Sequence, residues 1–232
     1  MELRIVGALI FDLDGLLVDS EPLAAQAMTR FLQSFGIEQD PAVQVQLLGR
    51  RLPEAIAICQ TGYGLPGALE DLTAHYGQMR MDALKGAVTA MPGAHEIIAF
   101  GRELGLPIAL ATSGMRVHAG ISLAETGLAG KFDAEATGDD VSRGKPDPGL
   151  FLLAASRLGI APETAVVFED SPLGVEAGIA AGMQVVAVAG GRAVMPGFPV
   201  SPTVQVPTLI EAIAWLKNQE IQPNPVKSGQ GC

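Results

Sequence analysis

Residues 4–15 read RIVGALIFDLDG, an apolar run that ends in two aspartates and a glycine. Both faces of the run are apolar up to Phe11, which is typical of a parallel strand buried inside a sheet. Asp12 and Asp14 follow where the strand ends, and Gly15 allows a sharp turn there. The stretch therefore predicts a buried parallel strand with two carboxylates at its carboxyl end.

Similar short apolar runs recur later in the chain and alternate with helical patterns. The strand-like runs cover residues 106–111, 164–168, 183–188 and, as a last edge strand, 203–206. The helical patterns cover residues 95–104, 117–125, 148–158, 173–181 and 209–217. This alternation predicts an α/β fold in which helices cover both faces of a Rossmann-like parallel sheet.

The segment 16–85 interrupts that alternation, because it contains helical patterns but no strand-like run. The helical patterns cover residues 22–35, 41–47, 53–59 and 68–84. We therefore expect an α-helical cap at 16–85, inserted into a catalytic core formed by residues 1–15 and 86–217, with hinges near 16–20 and 85–91. Residues 218–232 are rich in Pro, Gly and Gln and are expected to form a mobile tail.

Composition restricts the classes of partner. The chain has 232 residues, 48% of them hydrophobic and 17% charged, which is ordinary for a well-packed enzyme. Its net charge of −10 disfavours nucleic acid and anionic membranes as partners. Two widely separated cysteines suggest no disulfide framework, so we expect a cytoplasmic protein. We also expect a monomer or weak dimer. A phosphorylated ligand would need a local excess of positive charge.

Four polar clusters follow the predicted strands or lie in loops near them. They are Asp12-Leu13-Asp14-Gly15, Thr112-Ser113-Gly114, Lys145-Pro146-Asp147-Pro148 and Glu169-Asp170-Ser171-Pro172. Because parallel strands end at one edge of a sheet, these clusters can converge. Clustered carboxylates need a cation, and a hard divalent ion such as Mg²⁺ suits oxygen ligands. Lys145 and the Thr112 hydroxyl would suit the oxygens of a phosphoryl group.

On these motifs the sequence resembles the haloacid dehalogenase superfamily, in its phosphatase branch with a helical cap. The matching segments are Phe11-Asp12-Leu13-Asp14-Gly15, Ala111-Thr112-Ser113, Gly144-Lys145-Pro146-Asp147-Pro148 and Phe168-Glu169-Asp170-Ser171. Their order and spacing cover about the first 190 residues. Within the superfamily the chain looks most like phosphoglycolate, sugar-phosphate and pseudouridine-5′-phosphatases.

The resemblance implies a role for each core residue. Asp12 would attack phosphorus and become an aspartyl-phosphate, and Asp14 would act as general acid and base. Mg²⁺ would be held by Asp12, the Asp14 backbone carbonyl and Asp170, and Glu169 would support the metal site. Thr112 and Lys145 complete the catalytic set. The substrate implied is a small phosphorylated metabolite: a sugar, polyol or nucleoside monophosphate.

Three further residues are candidates for binding the substrate. Ser113 follows Thr112 in the second cluster. Arg50 lies in a cap turn, where it could clamp phosphate or hydroxyls or could simply begin a solvated helix. Glu21 could line the site beneath the cap or could only favour a helix N-terminus. Thr112 likewise has a second interpretation, as a helix N-cap.

Two other functions stay open. A β-phosphoglucomutase-like phosphosugar mutase would share every core motif. Such mutases usually carry a cap histidine and a cap arginine at positions occupied here by Ala24 and Leu52. A non-catalytic binding or regulatory protein on the same scaffold is the other alternative. Such a protein would be marked by loss of an acid at position 12 or 14, and both acids are present.

Overall fold

A computed structural model describes residues 5–47, 49–191 and 196–222. The strands are β1 (Ile5–Val6), β2 (Ala8–Phe11), β3 (Ile108–Ala111), β4 (Ala134–Ala136), β5 (Ala165–Glu169), β6 (Gln184–Val188), β7 (Val204–Val206) and β8 (Glu220–Ile221). The α-helices are α1 (Glu21–Gln33), α2 (Pro41–Gln44), α3 (Leu52–Tyr63), α4 (Leu69–Leu84), α5 (Ala94–Glu103), α6 (Arg116–Glu125), α7 (Gly149–Leu158), α8 (Pro172–Ala180) and α9 (Leu209–Leu216). No described helix combines the length and apolar composition that a bilayer crossing requires.

The main sheet has six parallel strands in the order β4-β3-β2-β5-β6-β7. Strand β2 lies in the middle, with Leu9 opposite both Ile108 and Val166. From β2 the chain builds the sheet first through β3 to β4 and then, on the other side, through β5 to β7. The carboxyl ends of β2 and β5 therefore flank the point where strand order reverses, which is where α/β sheets form a crevice. The predicted α/β architecture is confirmed.

Alternating side chains of the strands build an apolar layer on each face of the sheet. Leu9 and Phe11 point to one face, where the Phe11 ring stacks on Phe168 with centroids 4.7 Å apart. Ile10 and Val167 point to the opposite face, towards α7 and α8. Strands buried on both faces explain why these segments read as uninterrupted apolar runs.

Three features of the sheet differ from the sequence-based expectations. The predicted first strand is divided at Gly7, whose N–H donates to the Thr164 carbonyl at 2.7 Å. Strand β4 was not predicted. The predicted mobile tail begins at residue 218, and β8 lies within it. This strand pairs in parallel with β1, and the Gln222 N–H donates to the Val6 carbonyl at 2.9 Å. Residues 223–232 lie outside the described residues.

Helices α1–α4 form a second layer over the carboxyl edge of the sheet. They enclose an apolar cluster of their own, which includes Phe31, Leu52, Ile56 and Tyr76. The predicted pattern at 41–47 is a short helix, α2, continued by a 3₁₀ turn at Val45–Leu47. Helix α4 packs against α6 beside the sheet, where His118 Nε2 lies 3.0 Å from the Gly77 carbonyl.

The chain enters and leaves this helical layer through two adjacent segments. Val18 and Ala90 form an antiparallel bridge. The Asp19 N–H donates to the Thr89 carbonyl at 2.9 Å, and the Met91 N–H donates to the Leu17 carbonyl at 2.9 Å. The two crossings are therefore hydrogen-bonded to each other.

Candidate active site

A cavity of about 410 Å³ lies between the carboxyl edge of the sheet and helices α1–α4. The residues predicted from the sequence that line it are Asp12, Asp14, Glu21, Arg50, Thr112, Ser113, Lys145 and Asp170. Glu169 is the predicted site residue that does not line the cavity. The strand ends thus bring together side chains up to 158 positions apart, from position 12 to position 170.

Asp12 lies directly after β2 and is almost completely buried. Its backbone N–H donates to the Phe168 carbonyl at 3.1 Å, so strand pairing continues to the start of the site. Lys145 Nζ donates to Asp12 Oδ1 at 2.5 Å. Burial, followed by the negative charges of Glu169 and Asp170, raises the pKa of Asp12, while Lys145 opposes the rise. The cluster therefore contains more negative charge than Lys145 neutralises.

Lys145 is fully buried and joins two carboxylates. It donates to Asp12 and also to Glu169 Oε1. Burial alone would lower the pKa of Lys145, but the charges of Asp12 and Glu169 outweigh burial and raise it. The side chain therefore stays an ammonium ion at the bottom of the cavity.

Glu169 was expected at the metal site, and the structure gives its carboxylate other partners. Oε1 accepts from Lys145, and Oε2 accepts from the N–H groups of Asp170 and Ser171 and from the Ser171 hydroxyl at 2.8–2.9 Å. With both oxygens used in this way, Glu169 positions Lys145 and the loop that follows β5. The nearby Asp170, which lines the cavity, is the better placed carboxylate for an ion.

Asp14 is held by two residues of the helical layer. Ser20 Oγ donates to Asp14 Oδ1 at 2.5 Å, and Arg80 Nη2 of α4 lies 3.0 Å from the same oxygen. Burial would lower the pKa of Arg80, but the charge of Asp14 raises it. Arg80 was not predicted, because it lies within a helical pattern without any local motif. Its position depends on how α4 docks against α6.

The loop after β3 presents small hydroxyl side chains to the cavity. Thr112 Oγ1 accepts from the Gly114 N–H at 3.0 Å, which leaves the hydroxyl proton free to donate. Ser113 Oγ is buried and has no hydrogen-bond partner among the described residues. The N-cap residue of α6 is Met115, and the N–H of Arg116 donates to Asp139 Oδ2 at 2.7 Å, so Thr112 is not the N-cap of this helix. Thr112 and Ser113 are thus available to an oxygen-rich ligand.

The two candidates from the helical layer, Arg50 and Glu21, both line the cavity. Arg50 Nε donates to the Gln46 carbonyl at 2.8 Å. Glu21 is the first residue of α1, and its Oε1 would lie 3.4 Å from a Cβ at Gly15, on the same side as Asp170. The apolar side chains of Ala24, Met28, Leu47 and Leu52 also line the cavity.

The oxygen groups near Asp170 suit a small divalent cation. Gly15 has a φ of +81°, and a Cβ there would lie 2.6 Å from Asp170 Oδ2. The Asp170 carboxylate therefore lies against the backbone at Gly15, the residue that follows Asp14. The described residues contain no group of three His, Cys, Asp or Glu side chains arranged for a metal. A site here would combine the Asp12 and Asp170 carboxylates with the Asp14 carbonyl and water, a ligand set that fits Mg²⁺.

Among the known proteins that this chain resembles are two named phosphatases and one protein of the same fold. A phosphorylated carbohydrates phosphatase from Thermotoga maritima is 34% identical over 76% of this chain and 82% of the relative. Hexitol phosphatase A from Escherichia coli is 34% identical over 77% of this chain and 81% of the relative. The structure of a β-phosphoglucomutase from Clostridium difficile shares the fold, with a TM-score of 0.78, 21% identity and coverage of 91% of this chain and 96% of that one.

The family profile described as haloacid dehalogenase-like hydrolase matches residues 9–188, from the middle of β2 to the end of β6. That range contains all the polar clusters at the carboxyl edge and the whole helical layer. With the fold, the convergent side chains and this match in agreement, the chain belongs to the haloacid dehalogenase-like hydrolase family.

Proposed function

We propose that this protein is a Mg²⁺-dependent phosphatase that hydrolyses a sugar, polyol or nucleoside monophosphate through an aspartyl-phosphate. The observation that carries the proposal is the placement of Asp12 and Asp14 in one cavity, with the buried Lys145 ammonium bonded to Asp12. A nucleophile, a second acid and a fixed positive charge are the groups that phosphoryl transfer requires.

The first step transfers the phosphoryl group to Asp12. Lys145 occupies Oδ1, so Oδ2 attacks phosphorus and the bond to the leaving oxygen breaks. Asp14 gives its proton to that oxygen and the alcohol departs. Asp14 then takes a proton from water, whose oxygen attacks phosphorus, and inorganic phosphate leaves with Asp12 regenerated.

The other groups at the site stabilise charge. Asp12, the Asp14 carbonyl and Asp170 would hold Mg²⁺, and the ion when bound neutralises phosphoryl oxygens and carboxylates. The Lys145 ammonium and the hydroxyls of Thr112 and Ser113 bind phosphoryl oxygens. This role would satisfy Ser113 Oγ, which has no hydrogen-bond partner within residues 5–47, 49–191 and 196–222.

Residues 16–85 act in this proposal as a cap, with hinges near 16–20 and 85–91. The cap excludes water from the attack on phosphorus and selects the leaving group. A sugar or polyol phosphate is supported by the names of the two relatives. Hydrolysis is favoured over the mutase alternative because Ala24 and Leu52, which replace the histidine and arginine expected of such mutases, line the cavity.

The test is release of inorganic phosphate from a panel of phosphorylated sugars, polyols and nucleosides, with and without Mg²⁺. We expect turnover of at least one compound and its loss when Mg²⁺ is removed with a chelator. Isomerisation of a sugar phosphate without phosphate release would instead support the mutase. Absence of both activities would favour a binding protein.

Arg80 is expected to matter because it anchors Asp14. Arg80→Ala should lower kcat about 10- to 100-fold, in the range of general acid–base effects, since Asp14 loses its charged partner. Arg80→Lys should recover part of the loss, because an ammonium can replace one of the contacts. The matched control is Arg30→Ala on α1, which lines no part of the cavity. Equal activity of Arg80→Ala and wild type would contradict this role.

A further inference from the structure

The loop before Lys145 is contacted by the first turn of helix α3. Arg51 Nη1 donates to the Val141 carbonyl at 2.8 Å, and Glu54 Oε1 accepts from the Gly144 N–H at 3.1 Å. Arg51 Nη1 and Glu54 Oε1 lie 3.9 Å apart, and the two residues are three positions apart at the start of the helix. Two side chains of the cap thus form hydrogen bonds with the backbone at both ends of the core segment 141–144.

Gly144 lies directly beneath these two side chains. A Cβ at this position would be 2.8 Å from Glu54 Oε2 and 2.9 Å from Arg51 Cδ. The φ of Gly144 lies outside the left-handed region, so alanine could adopt the backbone conformation. Glycine is therefore required here for the close approach of the cap and not for backbone freedom.

Contacts within the core also hold this segment: Val141 packs against the apolar cluster of the sheet, and the Gly144 carbonyl accepts from the Asp147 N–H at 3.0 Å. Ser142 and Arg143 are exposed, whereas Gly144 and the following Lys145 are buried. Arg51 and Glu54 themselves are only partly exposed, with 18% and 33% of their side-chain surface accessible. Arg50, by contrast, bonds to the Gln46 carbonyl within the cap and contacts no core backbone in the described hydrogen bonds.

We propose that Arg51 and Glu54 form a clamp that couples closure of the cap to the position of Lys145. When the cap is closed, the clamp fixes segment 141–144, and the Lys145 ammonium is held at Asp12. When the cap opens, the Val141 carbonyl and the Gly144 N–H return to water, and the segment keeps only its contacts within the core. Arg51 and Glu54 are positioning residues in this scheme, and the effect on turnover rests on the proposed phosphatase function.

The first test compares Glu54→Ala with Glu70→Ala in the full-length protein. Both glutamates lie in the first turn of a cap helix, so both changes remove a similar helix-dipole interaction, but Glu70 is exposed. We expect Glu54→Ala to lower kcat/KM about tenfold, the effect of one charge-assisted hydrogen bond on the closed state. Glu70→Ala should match wild type. Glu54→Gln should recover most of the activity, because its amide oxygen can still accept from Gly144.

A second pair of variants tests the close contact of Gly144 with Arg51 and Glu54 instead of the charge of Glu54. Gly144→Ala should lower kcat/KM about tenfold or more, because the new methyl group prevents close approach of Arg51 and Glu54. Arg51→Ala removes the Cγ and Cδ atoms that the methyl group would meet. The double variant Arg51→Ala/Gly144→Ala should therefore be more active than the product of the two single effects predicts. Strictly multiplicative effects would contradict the clamp.

Small-angle X-ray scattering of the ligand-free protein gives a measurement independent of turnover. Glu54→Ala and Gly144→Ala should each increase the radius of gyration relative to wild type and Glu70→Ala, with melting temperatures showing that each is folded. An unchanged radius, together with kcat/KM equal to that of Glu70→Ala, would overturn the clamp. If the wild-type chain released no phosphate from any compound, the phosphatase proposal would fail, and scattering would still decide the clamp.

Discussion

Asp12→Asn is expected to reduce phosphate release by at least about 10⁴-fold, because an amide cannot replace the carboxylate as nucleophile. The side chains have nearly the same size, and the amide oxygen can still accept from Lys145. Burial raises the pKa of Asp12, so ionisation of this carboxyl costs the folded state stability at neutral pH. The variant should therefore melt at the same temperature as wild type or higher, even though it is inactive.

The panel assay and a melting curve check this prediction together. Asp71→Asn is the matched control, since Asp71 is an exposed residue of α4 and should keep full activity. A folded Asp12→Asn protein that retained more than about 1% of wild-type turnover would remove Asp12 as the nucleophile. Loss of activity accompanied by a large drop in melting temperature would indicate a structural role instead.

Lys145→Met is expected to have the largest effect on stability. The change removes the ammonium and leaves Asp12 and Glu169 buried without their shared countercharge. Breaking a buried ion pair from one side costs about 3–5 kcal/mol of unfolding free energy. For a chain of this size that corresponds to a fall of about 10 °C in melting temperature. Turnover should be lost as well, because the proposed function requires Lys145 to bind the phosphoryl group.

The stability that Lys145→Met loses should depend on pH, and the pKa of Asp12 sets the direction of that dependence. Burial already raises the pKa of Asp12, and Lys145 opposes the rise, so removing Lys145 raises that pKa further. An acid whose pKa is raised by folding destabilises the folded state above that pKa and ceases to do so as the pH falls below it. The loss of stability in Lys145→Met should therefore be smaller at pH 5 than at pH 8.

Denaturant unfolding at both pH values measures the effect. Lys131→Met is the matched control, because Lys131 is exposed, and should change the free energy of unfolding by less than about 0.5 kcal/mol. The double variant Lys145→Met/Glu169→Gln should recover part of the loss, since it leaves one buried carboxylate unpaired instead of two. A loss of the same size at pH 5 and pH 8 would argue against the charge explanation.

The residues at the sheet edge were predictable because their positions follow from local patterns. An apolar run followed by acids predicts a buried strand with carboxylates at its carboxyl end, as at Asp12 and Asp14. Parallel pairing then brings Lys145 and Asp170 to the same edge without any knowledge of long-range contacts. The binding partner of Glu169 was less predictable, because a sequence pattern does not distinguish a carboxylate that pairs with a lysine from one that binds a metal ion.

Features that depend on docking between elements could not be read from the sequence. Arg80 reaches Asp14 only because α4 docks over the site through its packing on α1, α3 and α6. Nothing in the helical pattern distinguishes this arginine from a solvated one. Strand β4 contains two alanines and a glutamate, which have low strand propensity, and its pairing with β3 determines its conformation. The β1–β8 pair likewise joins segments more than 200 residues apart.

The paired crossings at Val18 and Ala90 have a consequence for how such an enzyme can diversify. The whole segment between them departs from and returns to the same spot on the sheet. Replacing that segment with one of another length or helix arrangement would require no rearrangement of strand order. Mutation and recombination can therefore remodel the helical segment, to which the proposed function assigns substrate selection, while the strand ends that carry Asp12 and Asp170 stay in register.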